Sequence, residues 1–179
     1  MTPIALLREE HRVIGRALDA IDAVAERLAA DERVPEGLWA ALLDWLRRFA
    51  DIRHHEKEEQ LLFPALLRAG LPREGGPIAV MLDEHEGGRA LVTSMAAGSP
   101  REQAACARDF TSLLREHIRK EDRVLFPLAE ALLDTDTLEQ LRREFERADE
   151  ERSGAQTIAA AEIVLDGLAS ALESRAGVH

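Results

Sequence analysis

From Ile4 the chain places an apolar residue every three or four positions. Leu7, Ile14, Leu18, Ile21, Ala25 and Leu28 follow, and His11 stands in the same row. That spacing is one face of a helix. Thr2-Pro3 ahead of it supplies a cap residue and a first-turn proline. Asp31 to Pro35 breaks the row, and a second helix is predicted from about Glu36 to Ala69, stopping at Gly70-Leu71-Pro72. A third opens at Gly75-Gly76-Pro77 and ends near Gly98. Ser99-Pro100-Arg101-Glu102 is a capping box with proline at the first helical position, and it starts a fourth helix reaching about Leu133.

Beyond Asp134 the apolar row narrows to Leu138, Leu141, Phe145 and Ala148 among many charges. After a break at Ser153-Gly154 it resumes as Ile158, Ala161, Leu165, Leu168 and Leu172. One or two further helices are predicted here. The chain thus divides into a four-helix segment over 1–133 and a helical extension over 134–179. The extension is expected to cap the bundle, the alternative being a subunit contact in a homodimer.

Composition agrees with an all-α chain of one domain. There are 179 residues, enough for one packed unit. Helix formers dominate, tyrosine is absent, and five Phe and two Trp are a poor supply for a sheet sandwich. The net charge of −11 argues against nucleic acid and against anionic membrane surfaces. A single cysteine, Cys106, excludes an intramolecular disulfide and a cysteine-based metal site. The first ten residues lack the basic start and apolar run of a signal peptide, and no uncharged stretch approaches the roughly 20 residues of a membrane span. A cytoplasmic protein is expected.

An internal repeat carries the functional information. His54-His55-Glu56-Lys57-Glu58-Glu59-Gln60-Leu61-Leu62-Phe63-Pro64 aligns without gaps on His117-Ile118-Arg119-Lys120-Glu121-Asp122-Arg123-Val124-Leu125-Phe126-Pro127, with six of eleven positions identical. The second and fourth helices therefore present the same His-x-x-x-Glu at the same distance before a proline. Each proline removes a helical hydrogen bond and bends its helix. Residues four apart share a helix face, so each pair aims a nitrogen and a carboxylate at one point. His11 on the first helix and His85 on the third, in an inward row with Ile78, Leu82 and Val92, add one histidine each.

Singly, an inward histidine is more often hydrogen-bonded core than a ligand, and one His-x-x-x-Glu is common by accident. Two repeated pairs with two further histidines are a different matter, because buried carboxylates are costly unless paired or coordinating a metal. In the second helix His55 with Glu59 has the same spacing, and the helical wheel favours His54 only slightly. In the fourth, Phe110, Leu113, Leu114, Val124, Leu125 and Leu128 centre the apolar face on His117 and Glu121. Alignment through the repeat then selects His54 and Glu58, with His55 and Glu59 as flanking groups. His179 is given no role. The candidate metal set is His11, His54, Glu58, His85, His117 and Glu121. Six mixed ligands exceed one tetrahedral zinc, carboxylates on opposite helices can bridge two cations, and imidazole with carboxylate suits iron. The Glu-x-x-His spacing of ferritin-like di-iron bundles is absent.

At these residues the sequence resembles the hemerythrin-like family, or HHE cation-binding domain, over roughly Ile4 to Leu133. The matching positions are His11 in Glu-Glu-His, His54 with Glu58, His85 in Asp-Glu-His-Glu-Gly-Gly-Arg, and His117 with Glu121, both pairs followed by Leu-Phe-Pro. The resemblance implies an up-down four-helix bundle around an oxo- or hydroxo-bridged pair of irons, with Glu58 and Glu121 bridging and the histidines terminal. It also implies dioxygen or another small ligand as the partner. The oxygen carriers have His-x-x-x-His on the third helix, whereas Met81 and Arg89 stand four either side of His85. They also use an Asp five residues after the fourth-helix histidine; Asp122 has that spacing here, but the wheel puts it off the inward face. One nitrogen fewer leaves an open position or lets Glu84 or Glu86 approach. That favours sensing of dioxygen or nitric oxide, iron handling, or peroxide scavenging of catalase type over plain oxygen carriage.

Overall fold

A computed structural model describes residues 1–151 and 157–173; the predicted break at Ser153-Gly154 and His179 lie outside the described residues. The described residues are all-helical. Helix α1 spans Pro3–Ala29 and is capped as expected, with the Ala5 amide donating to Thr2 Oγ1 at 3.1 Å. Helix α2 runs over 38–68 and α3 over Pro77–Met95. Helix α4 runs over 100–132 from the Ser99/Glu102 capping box. Helices α5 (Thr135–Glu151) and α6 (Ile158–Glu173) follow. Helix α2 stops where Gly70 takes φ +99°, a conformation that suits glycine. The Leu71 amide then returns to the Leu66 carbonyl and the Gly70 amide to that of Leu67, the hydrogen bonding of a Schellman cap.

Helices α2 and α4 are not uniform. Over Leu46–His55, Glu58–Leu62 and Glu121–Leu125 the backbone makes wide turns with hydrogen bonds to the fifth residue back. The Phe63 amide donates to the Glu58 carbonyl, and the Phe126 amide to the Glu121 carbonyl. Each phenylalanine precedes the proline that has no amide to give to the fourth residue back. A wide turn holds one more residue than an α-turn and so resets the helical register. This corrects one expectation: Val124, placed on the apolar face by the wheel, is 49% exposed, while Leu125 and Phe126 are buried.

Helix α4 packs lengthwise against α1 and α3, and the 46–55 stretch of α2 lies against α1 and α3. Two apolar cores result. One gathers Val13 to Leu28, Leu38 to Ala50, Val92, Met95 and Ala104 to Leu114. The other gathers Ile4, Leu7, Leu62 to Leu66, Ile78, Met81 and Leu125 to Leu133. The order in which a helix meets the two cores alternates from α1 through α4. Helix α5 lies on α1 and the 58–62 turn, burying Leu141 and Phe145 in the second core. Helix α6 lies on α1 and the start of α2, adding Ala161, Leu165 and Leu172 to the first core. No described helix is long and apolar enough to cross a membrane.

Candidate metal centre

Between the two cores lies a layer of buried polar residues drawn from all four long helices: Glu10 and His11, Arg53 to His55 with Lys57 and Glu58, His85, and His117 with Glu121. All six predicted site residues fall in it. Their donor atoms form two groups, His11, His54, Glu58 and Glu121 on one side and His85, His117, Glu58 and Glu121 on the other, all atoms of a group within 4.8 Å of one another. The groups share both carboxylates. Glu121 Oε2 stands 3.1 Å from His11 Nε2 and 3.2 Å from His117 Nε2. Glu58 Oε2 stands 3.8 Å from His54 Nε2 and 3.6 Å from His85 Nε2.

Each of these four histidines turns its other nitrogen to a carboxylate. His54 Nδ1 meets Glu10 at 3.0 Å and His117 Nδ1 meets Glu84 at 3.1 Å. His11 Nδ1 meets Asp122 at 3.0 Å and His85 Nδ1 meets Glu59 at 2.7 Å. Cations hold these carboxylates in turn: Lys57 and Arg53 on Glu10, Lys120 on Glu84, and Arg89 on Glu59, with Arg8 4.0 Å from Asp122. Such partners fix the tautomer and aim the remaining nitrogen.

The repeat now acquires a physical meaning. In each copy the histidine and the lysine three residues on grip one carboxylate, Glu10 or Glu84, and that carboxylate immediately precedes His11 or His85. The acid after the shared glutamate, Glu59 or Asp122, holds the histidine of the opposite half. The phenylalanine before the proline lies flat on that same histidine, Phe126 on His11 with centroids 5.2 Å apart and Phe63 on His85 at 6.0 Å. Two equivalent half-sites therefore face each other across Glu58 and Glu121.

The layer is chemically unfinished as a set of protein groups. Both Glu58 oxygens, Glu121 Oε1 and His54 Nε2 are buried without a hydrogen-bond partner. His85 Nε2 and His117 Nε2 stand 3.1 Å apart, although each ring has its Nδ1 on a carboxylate. With Nδ1 protonated, two lone pairs would face each other. Burial and then the Glu121 charge push the Glu58 carboxyl well above its ordinary range. Glu121 is held well below its range: burial opposes ionisation, but His117 and His11 overcome it. His11 rises to about 9 against burial because Asp122 and Glu121 accept from it, whereas burial takes His54 down to about 4. Buried carboxylates beside imidazole nitrogens are what a hard or borderline cation requires, and its binding displaces these protons. The residues fit a metal.

Three acids left open by the sequence are now placed. Asp122 and Glu84 support histidines through Nδ1, and Glu86 is exposed. His55, read as flanking, lies in a group with His85 and His117, its ring centroid 3.9 Å from that of His85. Missed in the sequence were Glu10, Arg53 and Lys57. Glu10 carried a signal, since it stands three after Leu7 and four before Ile14, on the inward row. Lys57 carried another, being one of the identical repeat positions.

Fold and site together define an all-helical protein with a buried histidine–carboxylate centre of metal-binding type. The hemerythrin HHE cation binding domain matches residues 2–129, and the chain belongs to that family. An uncharacterized protein of Mycobacterium tuberculosis is 28% identical over 158 residues, covering 83% of this chain and 61% of its own. The iron-sulfur cluster repair protein YtfE of Yersinia pseudotuberculosis is 32% identical over 139 residues, 70% of this chain and 62% of its own. The chain thus spans about three fifths of the length of these relatives. No solved structure matches it.

Proposed function

We propose that the protein is a non-haem di-iron binding module that takes up a small ligand, dioxygen or nitric oxide, for sensing or stress response, or that handles iron itself. One observation carries this: two four-donor groups share both Glu58 and Glu121, as two adjacent cations bridged by carboxylates require. His11 and His54 would serve one iron, and His85 and His117 the other. The alternation of the two cores along α1 to α4 supports an up-down arrangement of the four helices. A resident iron pair would supply a redox-active binding position for the ligand. The chain's own contribution is to hold four imidazoles in one tautomer and to keep water out between two apolar cores. The YtfE relatives bear the name of iron-sulfur cluster repair proteins, which favours a role in the upkeep of iron centres. Four protein donors per iron also leave positions open to peroxide, which favours scavenging as the second reading.

Iron-loaded protein is expected to hold about two irons per chain, as in carboxylate-bridged bundles. His54→Ala and Glu58→Ala are expected to lose them. One iron or none in folded, iron-replete protein would overturn the reading. Oxygen evolution from peroxide over many turnovers would select the enzyme, and a flat trace the binding module.

A further inference from the structure

We propose that a cavity between α2, α3 and α4 is the passage by which a small uncharged molecule reaches the metal pair, and that the His55 ring is its inner door. This rests on the metal-site reading. The cavity measures about 210 Å³, and Leu46, Ala50, Val92 and Phe110 make its walls apolar. Liquid water occupies roughly 30 Å³ per molecule, so several diatomic molecules fit. Gly88 forms part of the wall; a Cβ there would already lie 3.8 Å from Phe110, and a longer side chain would fill the space. Asp51 and Arg89, both partly exposed, mark the outer rim, and His55, 6% exposed and stacked on His85, marks the inner end.

His55 differs from its four neighbours in how it is held. Each of those has Nδ1 on a carboxylate at 2.7–3.1 Å. His55 Nδ1 is buried with no hydrogen-bond partner; Asp51 is 3.7 Å away and engaged by Arg89. Ring geometry also separates it from the ligands. Two imidazoles at right angles on one cation, with nitrogens about 2.1 Å from it, have centroids about 4.6 Å apart. His11 with His54 and His85 with His117 both show 4.7 Å, at 63° and 62°. His55 lies on His85 at 3.9 Å and 19°, stacked rather than converging. The repeat breaks at this position, since the counterpart of His55 is Ile118. A buried ring without a hydrogen bond to anchor it, between an apolar cavity and a ligand histidine, can swing aside at little cost. The apolar walls suit uncharged molecules; of the two guanidiniums that line the cavity, Arg89 is engaged by both Asp51 and Glu59, and Arg47 is exposed at the outside.

The test combines xenon with rapid mixing. Crystals of the full chain under xenon pressure should show the gas in this cavity, with or without metal, since apolar cavities take up xenon. Its absence overturns the passage. Iron content is measured first: wild type without iron sinks the metal reading, and the xenon result still judges the cavity. In iron-loaded protein, Val92→Phe should slow association of nitric oxide or hydrogen peroxide about tenfold, and His55→Ala should speed it by a similar factor with both irons retained. Slowing with nitric oxide alone assigns the passage to the gas, and slowing with peroxide alone to peroxide. Unchanged rates for both probes overturn the proposal. So does loss of an iron in His55→Ala, which would make His55 a ligand. Ala50→Leu narrows the cavity from the opposite wall should Val92→Phe not fold.

Discussion

Glu10 is where most charge converges in the buried layer. One of its oxygens takes Arg53 Nε at 3.0 Å and Lys57 Nζ at 2.6 Å, and the other takes His54 Nδ1 at 3.0 Å. These contacts hold its carboxyl at about 2 although burial works the other way. Both Glu10 and Lys57 are fully buried, so deleting the acid leaves two cations with Asp149 alone. Breaking a buried ion network from one side costs ~3–5 kcal/mol. Glu10→Ala should lose about that much in urea unfolding of metal-free protein. The equivalent on the other half, Glu84→Ala, should cost much less, because Lys120 is 34% exposed and rehydrates. It should still weaken metal binding by about 10–100-fold, since His117 loses its orienting partner. A large stability loss in Glu84→Ala would refute this division of labour. At this scale the repeat and its histidine–glutamate pairs were legible because groups that converge on one point recur at fixed spacing on one helix face. Of the supporting ions the sequence marked single members, Glu10 on the inward row and Lys57 as a repeat position, but not their pairing: an acid on one helix chooses its lysine on another, and no spacing within either helix records it.

At the scale of the element, the wide turns set the site. Sequence showed a proline at matching places in α2 and α4 and suggested bends; it did not show that the preceding turn would widen. Pro127 leaves the Arg123 carbonyl without its α-helical donor, and just ahead of that break in the ladder the Phe126 amide reaches past Asp122 to the Glu121 carbonyl. The reset register then sends Leu125 and Phe126 inward and Val124 outward. The same widening over Leu46–His55 explains how Arg53, His54 and His55 are all buried in succession, which left the choice between the two histidines so close on a helical wheel. Pro127→Ala restores the missing amide and makes the regular turn competitive. Metal-free protein should then melt no lower than wild type. Iron affinity should fall about tenfold, the lower end of what disturbed ligand orientation costs. Lower thermal stability with unchanged affinity would show that the proline serves the fold and not the site.

At the scale of the molecule, the two C-terminal helices sit over different parts of the bundle and should prove separable. Helix α5 reaches the polar layer itself: Asp149 binds Arg53 at 2.7 Å and Lys57 at 2.8 Å, and Phe145 lies beneath the Lys57 ammonium. Helix α6 lies instead on α1 and the start of α2. It covers the first core through Leu165 and Leu172, accepts the Trp45 indole N–H on the Ala161 carbonyl at 3.0 Å, and pairs Glu162 and Asp166 with Arg12 and Arg16. The apolar rows foretold one or two further helices, but rows alone do not say which surface each one covers. A chain ending after Glu151 should keep its irons and lose ~3–6 kcal/mol, the burial of two leucines. It should also self-associate through the uncovered α1–α2 face, visible as a larger species in size exclusion. A chain ending after Leu133 additionally strips Asp149 from Lys57 and Arg53, leaving two buried cations on one carboxylate. Its iron content should fall along with its stability, because Arg53 and Lys57, which fix Glu10 against His54, lose their second carboxylate. Equal iron content in the two truncated chains, at matched folded fractions, would show that the metal centre is complete within residues 1–133 and that α5 only covers it.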